Sequence, residues 1–364
     1  MMRPYFSSGP CVKHAGWSLE KLNRPFLNRS HRSDIAKTHI KSIIERQKRL
    51  LNIPDDYKLA IVPASATGAI EMAMWCLLGN RGVDVHVMDV FSKIWAYDIK
   101  HQLKIDTNVI EAEYGTLPIM HHNPERDLVM TVSATTTGVA YSNTDWIKQD
   151  RNGLVIVDAT AAAFCFEIPF SSFDVVAFSW QKGLGGEAAH GMLALSPRAL
   201  RQLETYIPTW PIPRIMSFWL GDKVNYGVFE GLTLNTPSML ALADVECALD
   251  WVDSLGGASG LYKKAADNVS FLYDWVVNTP GLTPMAALDV QAKGGSVCFY
   301  ADKFTSFDEY RVFAQPLADS GKLFDIVNHA SSKPSFRVWC GATMEKSDLI
   351  HLTKIFDEQI STCF

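Results

Sequence analysis

Short apolar runs rich in β-branched residues recur from about residue 57 onward, at 59–62, 83–90, 128–132, 154–157, 175–180 and 192–195. They lack polar alternation, so each reads as a strand buried on both faces of a largely parallel sheet. Between several of them lie helical spacings. The plainest is GAIEMAMWCLL after Thr67; another covers 34–51, where Ile40, Ile43, Ile44 and Leu51 share one face and Lys and Arg fill the other. Strands and helices in alternation predict an α/β architecture. After roughly residue 240 the pattern changes: long helical spacings at 238–255 and 259–278 precede isolated strand candidates at 296–300 and 336–340, and a last helix is expected over about 345–361. That is the signature of a smaller α+β unit. The expected division is therefore a large domain at 15–240 and a small domain at 241–364, joined by residues 1–14. The stretch 206–214, with Pro208, Pro211 and Pro213, reads as a loop, because proline sustains neither a helix nor a central strand.

Composition narrows the function classes. The 364 residues are 48% hydrophobic and 20% charged, ordinary for a globular protein, and long enough for two domains. No apolar run reaches the ~20 residues of a membrane span, and the start MMRPYFSSGPCVKH lacks the apolar stretch of a secretory signal, so a cytoplasmic location is expected. A net charge of −5 disfavours nucleic acid as a partner but leaves a small anionic ligand open. Seven cysteines, at 11, 76, 165, 247, 298, 340 and 363, form no CxxC pair and no zinc spacing. They read as free, mostly buried thiols, and no metal site is expected.

Chemistry concentrates at strand ends. In DVVAFSWQKGLGGEAAHG (174–191) a strand ends at Trp180 and delivers Gln181 and Lys182 to its carboxyl end, beside flexible glycines. Ligands of α/β sheets bind there. A lysine partly withdrawn from water loses its proton readily enough to attack an aldehyde; a solvated surface lysine is the plain alternative. Asp158 closes the apolar run 154–157. A carboxylate at such a rim is costly without a positive partner, and a protonated pyridine nitrogen is one; the alternative is a helix N-cap. Lysine and aspartate together, each at a strand end, are the pattern of a pyridoxal-phosphate centre, in which the charged ring acts as an electron sink. Upstream, the strand 59–63 runs through Ala64, Ser65, Ala66, Thr67 and Gly68 straight into a helix. Small residues let backbone N–H groups close on a phosphate, and the helix N-terminus adds positive character. By itself that is also a common N-cap arrangement.

Taken in order, FSSGP (6–10), SHRS (30–33), VPASATGAIEMA (62–73), Trp95, TTTG (135–138), VDAT (157–160), FSWQKGLGGEAAHG (178–191), LNTPSML (234–240) and FRVWCGA (336–342) resemble the class V, fold-type I aminotransferases, and within them the phosphoserine branch. The resemblance covers nearly the whole chain. It implies a large domain with a mostly parallel seven-stranded sheet, a smaller α+β C-terminal domain, pyridoxal 5′-phosphate as cofactor and a homodimer with shared sites. It also implies roles. Lys182 would carry the cofactor as a Schiff base and shuttle the substrate's proton, Asp158 would pair with the pyridine nitrogen, Trp95 would stack on the ring and Thr135 would bond near its 3′ oxygen. Ala66, Thr67 and Gln181 would hold the phosphate, completed by Asn235 and Thr236 from the partner subunit. Arg337 would clamp the substrate's α-carboxylate, and His31 and Arg32 of the other subunit would meet the substrate phosphate; without the resemblance, Arg32 reads as a solvated helix-entry residue. The implied reaction exchanges 3-phosphohydroxypyruvate and glutamate for O-phosphoserine and 2-oxoglutarate.

The match departs in places. Where relatives carry a further arginine, this chain has Ala330, with His329 and Lys333 as the nearest possible cations. Ser133 replaces the family's asparagine and Ala161 a small polar residue, and neither is expected to touch the cofactor machinery. A phosphate dianion short of one charge-assisted bond loses ~1.5–3 kcal/mol of binding. The resemblance therefore admits an ordinary phosphoserine aminotransferase, a divergent enzyme using another anionic or hydroxylated 2-oxo acid, or a catalytically silent cofactor-binding protein.

Overall fold

The computed structural model describes residues 3–287 and 294–363, with side chains to residue 359, so the thiol expected buried at Cys363 lies outside the described residues. Seven strands make the main sheet: β1 (Lys58–Val62), β2 (Val83–Val87), β3 (Thr107–Glu111), β4 (Asp127–Thr131), β5 (Val155–Asp158), β6 (Val175–Ser179) and β7 (Gly191–Leu195). Their order is β1-β7-β6-β5-β4-β2-β3, and only β7 runs antiparallel to its neighbours. Every position of β4, β5, β6 and β7 is buried, which is why these runs carry no polar alternation. In β2 the two polar side chains are paired: Asp84 with Arg126 at 2.7 Å and His86 with the Tyr141 hydroxyl at 2.9 Å.

Helices cover both faces. On one, α1 (Asp34–Leu50) packs Ile40, Ile43 and Ile44 against the sheet; on the other, α2 (Ala66–Leu77), α3 (Val90–Tyr97) and α4 (Pro197–Thr205) do the same with Ile70, Trp95 and Leu203. A two-stranded ribbon, β8 (Trp219–Leu220) with β9 (Lys223–Val224), follows the Pro-rich loop. Then come α5 (Met239–Ser254) and α6 (Ala258–Asn278), and a second, three-stranded antiparallel sheet of β10 (Leu282–Pro284), β11 (Ser296–Ala301) and β12 (Phe336–Trp339). Together with α6, α7 (Phe307–Asp319) and α8 (Lys346–Cys363), this sheet encloses its own core, to which Phe6 and Cys11 of the N-terminal segment contribute. By contrast, Leu242, Val245 and Leu249 of α5 are buried with Ile40 and Ile43 in the core of the main sheet.

Three expectations are corrected. The run 83–90 is not one strand: β2 ends at Val87, because Asp89 accepts the Ser92 amide at 2.9 Å and caps α3, so Val90 is helical. The glycines after Lys182 serve close packing, not flexibility. A Cβ on Gly183 would sit 2.5 Å from the Ala163 carbonyl oxygen, and one on Gly186 would sit 2.8 Å from Trp180 Cβ. Finally, β3, β10 and α7 are elements that the apolar pattern did not announce. The six described cysteines are buried and free.

Candidate active site

Parallel strands β4, β5 and β6 lie side by side and end at the same edge, at Thr131, Asp158 and Ser179. Just beyond that edge lies a cavity of about 220 Å³, to which Thr135, Asp158, Gln181 and Lys182 all contribute. Lys182 Nζ donates to Thr135 Oγ1 at 2.6 Å. Burial pulls the Lys182 amine below the ordinary lysine range, and the guanidinium of Arg337 pushes it the same way. Burial raises the Asp158 carboxyl, opposed by hydrogen bonds from Thr160, whose amide reaches Oδ1 at 2.9 Å. Burial dominates both shifts, and the opposite charges of Lys182 and Asp158 offset it only in part.

Opposite them stands the start of α2. Ala64 adopts a left-handed backbone (φ 62°), uncommon for alanine, and this sharp turn sends the helix N-terminus to the cavity. Gly68 is required there, since a Cβ would lie 2.7 Å from the Pro63 carbonyl oxygen. The first intrahelical bond is Ala69 N to Ser65 O at 3.0 Å. The amides of Ala66, Thr67 and Gly68 therefore have no acceptor within the helix, and Ala66 and Thr67 line the cavity. Further wall comes from Trp95 and Phe91 of α3 and from Arg337 of β12. Trp95 Nε1, Thr131 Oγ1, Ser133 Oγ and Arg337 Nε are buried at the cavity wall without a hydrogen-bond partner among the described residues.

The cavity thus unites Lys182, Asp158, Ala66, Thr67, Trp95, Thr135, Gln181 and Arg337. It does not include His31, Arg32, Asn235 or Thr236. Arg32 is exposed at the entry to α1 and His31 is half-buried; Asn235 and Thr236 lie on the segment before α5, half-buried and exposed respectively. Of the two cations considered near Ala330, His329 lines the mouth. Its Nδ1 accepts the Ser331 amide at 3.2 Å, which leaves Nε2 to carry the ring's N–H. Lys333 instead lies over the Tyr114 ring at 5.6 Å, in a separate surface groove. Ser133 and Ala161 line the cavity after all, beside Thr135 and Asp158.

Asp89 was missed. It is buried, lines the cavity and accepts from the Thr136 hydroxyl at 3.1 Å. The available signal was a carboxylate inside an apolar run, the same oddity that singled out Asp158.

No family model matches the chain. Among solved structures, a phosphoserine aminotransferase from Cytophaga hutchinsonii superposes with a TM-score of 0.82 over 98% of both chains at 18% identity. An aspartate aminotransferase from Thermus thermophilus does so with 0.81 over 100% of both chains at 20% identity. At that identity the likeness speaks of fold alone, and the fold is one that aminotransferases use. The curated phosphoserine aminotransferase of Methanosarcina barkeri is 45% identical over 348 residues, 95% of this chain and 94% of its own. The chain belongs to the phosphoserine aminotransferase family.

Proposed function

We propose that the protein is a pyridoxal-phosphate-dependent phosphoserine transaminase, exchanging glutamate and 3-phosphohydroxypyruvate for O-phosphoserine and 2-oxoglutarate in L-serine biosynthesis. The observation that carries this reading is the short contact of Lys182 Nζ with Thr135 Oγ1, in one cavity with the buried Asp158. The residues present fit the cofactor. Among the described residues no cation lies within ion-pair distance of Asp158, a place that a pyridine nitrogen would fill, and the amides at the start of α2 that have no acceptor within the helix, with Gln181, suit a phosphate. Trp95 offers a ring face. Bound there, the cofactor would draw electrons from the substrate's α-carbon.

The chain's own groups do the rest. With its proton affinity lowered by burial and by Arg337, Lys182 can take the proton from the substrate's Cα and return it. Thr135 holds the amine in place while Asp158 keeps the ring's positive charge. Arg337 holds the α-carboxylate through a planar fork. The phosphate of the acceptor meets His31 and Arg32 of a second subunit, which also lends Asn235 and Thr236 to the cofactor phosphate; a homodimer in the cytoplasm is part of the proposal. We also place the boundary between the large and small units after α5, near 254, and not at 240, since α5 is buried in the main core.

A second reading has its own observation. Ala330 is exposed and Lys333 is turned away over Tyr114, so among the described residues 329–333 it is His329 that lines the cavity. A smaller or hydroxylated 2-oxo acid would suit that mouth. Steady-state kcat/KM with phosphohydroxypyruvate and with hydroxypyruvate separates the two. A preference of roughly tenfold or more for the phosphorylated acid is expected from one or two charge-assisted bonds; equal values would sink the first reading.

A further inference from the structure

Asn328 is buried and uses both side-chain amide hydrogens, its side-chain oxygen and its backbone N–H. Its Nδ2 donates to the Thr136 carbonyl at 2.8 Å and to Ser335 Oγ at 2.8 Å, and its Oδ1 accepts the His329 amide at 2.8 Å. Its backbone N–H donates to the Ser335 carbonyl at 2.9 Å, closing the loop 328–335; one register further out, Arg337 N donates to Ile326 O at 2.8 Å. This hairpin carries His329 and Arg337. Across the cavity, Thr136 neighbours Thr135, the partner of Lys182, and its hydroxyl donates to Asp89 at the N-cap of α3. From α3, the Phe91 ring lies 6.1 Å from that of His329, so the contacts run in a closed circuit.

We propose that Asn328 is a positioning residue, the central member of a buried relay of Asp89, Thr136, Asn328 and Ser335. The relay sets the hairpin bearing His329 and Arg337 against the turn bearing Thr135. It needs both ends. The small-sheet hairpin reaches the turn after β4 through a side-chain amide whose two hydrogens are both used, one on Thr136 and one on Ser335, and Ser332 Oγ adds a longer bond to the same Thr136 carbonyl at 3.3 Å. Buried networks of this kind stand or fall together, because one missing member leaves its neighbours unsatisfied. The substrate-facing residues are then held to the Lys182 side by hydrogen bonds. This rests on the cavity being an amino-transfer site only where rates are concerned.

The test uses the cofactor-loaded, substrate-free protein. Hydrogen exchange is measured by peptide for Asn328→Ala and for Thr136→Val, which keeps the side-chain shape and removes only the hydroxyl that reaches Asp89. Both are expected to speed exchange in 133–139 and in 326–337 together. In rates, Asn328→Ala should lower kcat/KM for both acids by roughly tenfold to hundredfold, the scale of a small misplacement of binding groups. The cofactor's absorbance band and affinity should stay as in the unmodified protein. The double variant should lose less than the product of the single losses, because the two act on one relay. Exchange that rises only in the substituted segment, or losses that multiply, would overturn the proposal. Should Asn328→Ala not fold, Thr136→Val decides on its own. If the unmodified protein fails to transaminate, the function proposed above falls while the exchange result still decides the relay.

Discussion

On the floor of the cavity, Thr135 and Asp158 are buried and Lys182 is hydrogen-bonded to the first; Asp158 ends β5, and Thr135 and Lys182 follow the adjacent parallel strands β4 and β6. At its mouth, His329 and Ala330 stand exposed on a loop, while His31, Arg32, Asn235 and Thr236 lie away from the cavity altogether. The floor is fixed by the interior packing of one chain. The mouth is made of residues that packing leaves free to vary, and on our proposal it is finished by a second subunit. On the proposed assignment, cofactor chemistry and substrate choice reside in parts of the molecule under different physical constraints.

The sharpest way to break this contrast is at the floor. Lys182→Ala should lower the transamination rate by roughly ten-thousandfold, the upper range for a positioned acid–base group, with no rise in KM to account for it. A loss below about tenfold would mean that another group moves the proton. Next comes the wall between floor and mouth. Arg337→Lys keeps the charge and loses the fork, costing about 1.5–3 kcal/mol. It should raise KM for glutamate and for the acceptor alike, measured in the two half-reactions. An effect on one substrate only would remove Arg337 from the common carboxylate site.

The mouth should respond selectively. Arg32→Ala removes an exposed side chain, so its unfolding midpoint should move by no more than about 0.5 kcal/mol equivalent. KM should rise roughly tenfold for phosphohydroxypyruvate and stay level for glutamate. Equal effects on both acids, or none, would take Arg32 out of the shared site.

The smallest effect concerns pH. His14, His86 and His122 are each held down to about 4, in every case first by burial. Unfolded imidazoles titrate near ~6.5, so the unfolded state binds more protons in between. The stability they confer is complete above that pH and drains away as pH falls toward 4. Asp127, raised to about 6 by burial, works in the opposite direction over the same range. Burial also raises the carboxyls of Glu71, Asp98 and Asp158, which act with Asp127, and lowers His190, which acts with the other imidazoles; the histidines' own share is a urea midpoint that falls between pH 6.5 and 4.5. His86→Phe should flatten that slope whatever it does to the midpoint at pH 7; an unchanged slope would contradict the assignment.

What the sequence revealed follows the same division. β4, β5, β6 and β7 were legible because burial on both faces leaves an unbroken apolar run. β3, with sequence TNVIE, was not, since it is the sheet's edge strand and three of its five residues are exposed. α7 escaped notice because Pro316 interrupts its pattern and Val312 faces solvent. Lys182 and Asp158 could be found as polar residues ending apolar runs. Asp89 obeys the same rule, but the valines on either side of its capping turn blurred strand into helix. Ser133 and Ala161 looked remote only because sequence distance says nothing of how the turns after β4 and β5 fold back into one cavity. The role of His31, Arg32, Asn235 and Thr236 rests wholly on family likeness, because nothing in one chain's patterning encodes a neighbour.

The most direct test of the central claim is a single turnover of the protein loaded with pyridoxal phosphate. Added glutamate should abolish the cofactor's absorbance band and yield one 2-oxoglutarate per site, and phosphohydroxypyruvate should restore the band with one O-phosphoserine. A band that glutamate leaves untouched would contradict the account and leave a silent cofactor-binding protein in its place.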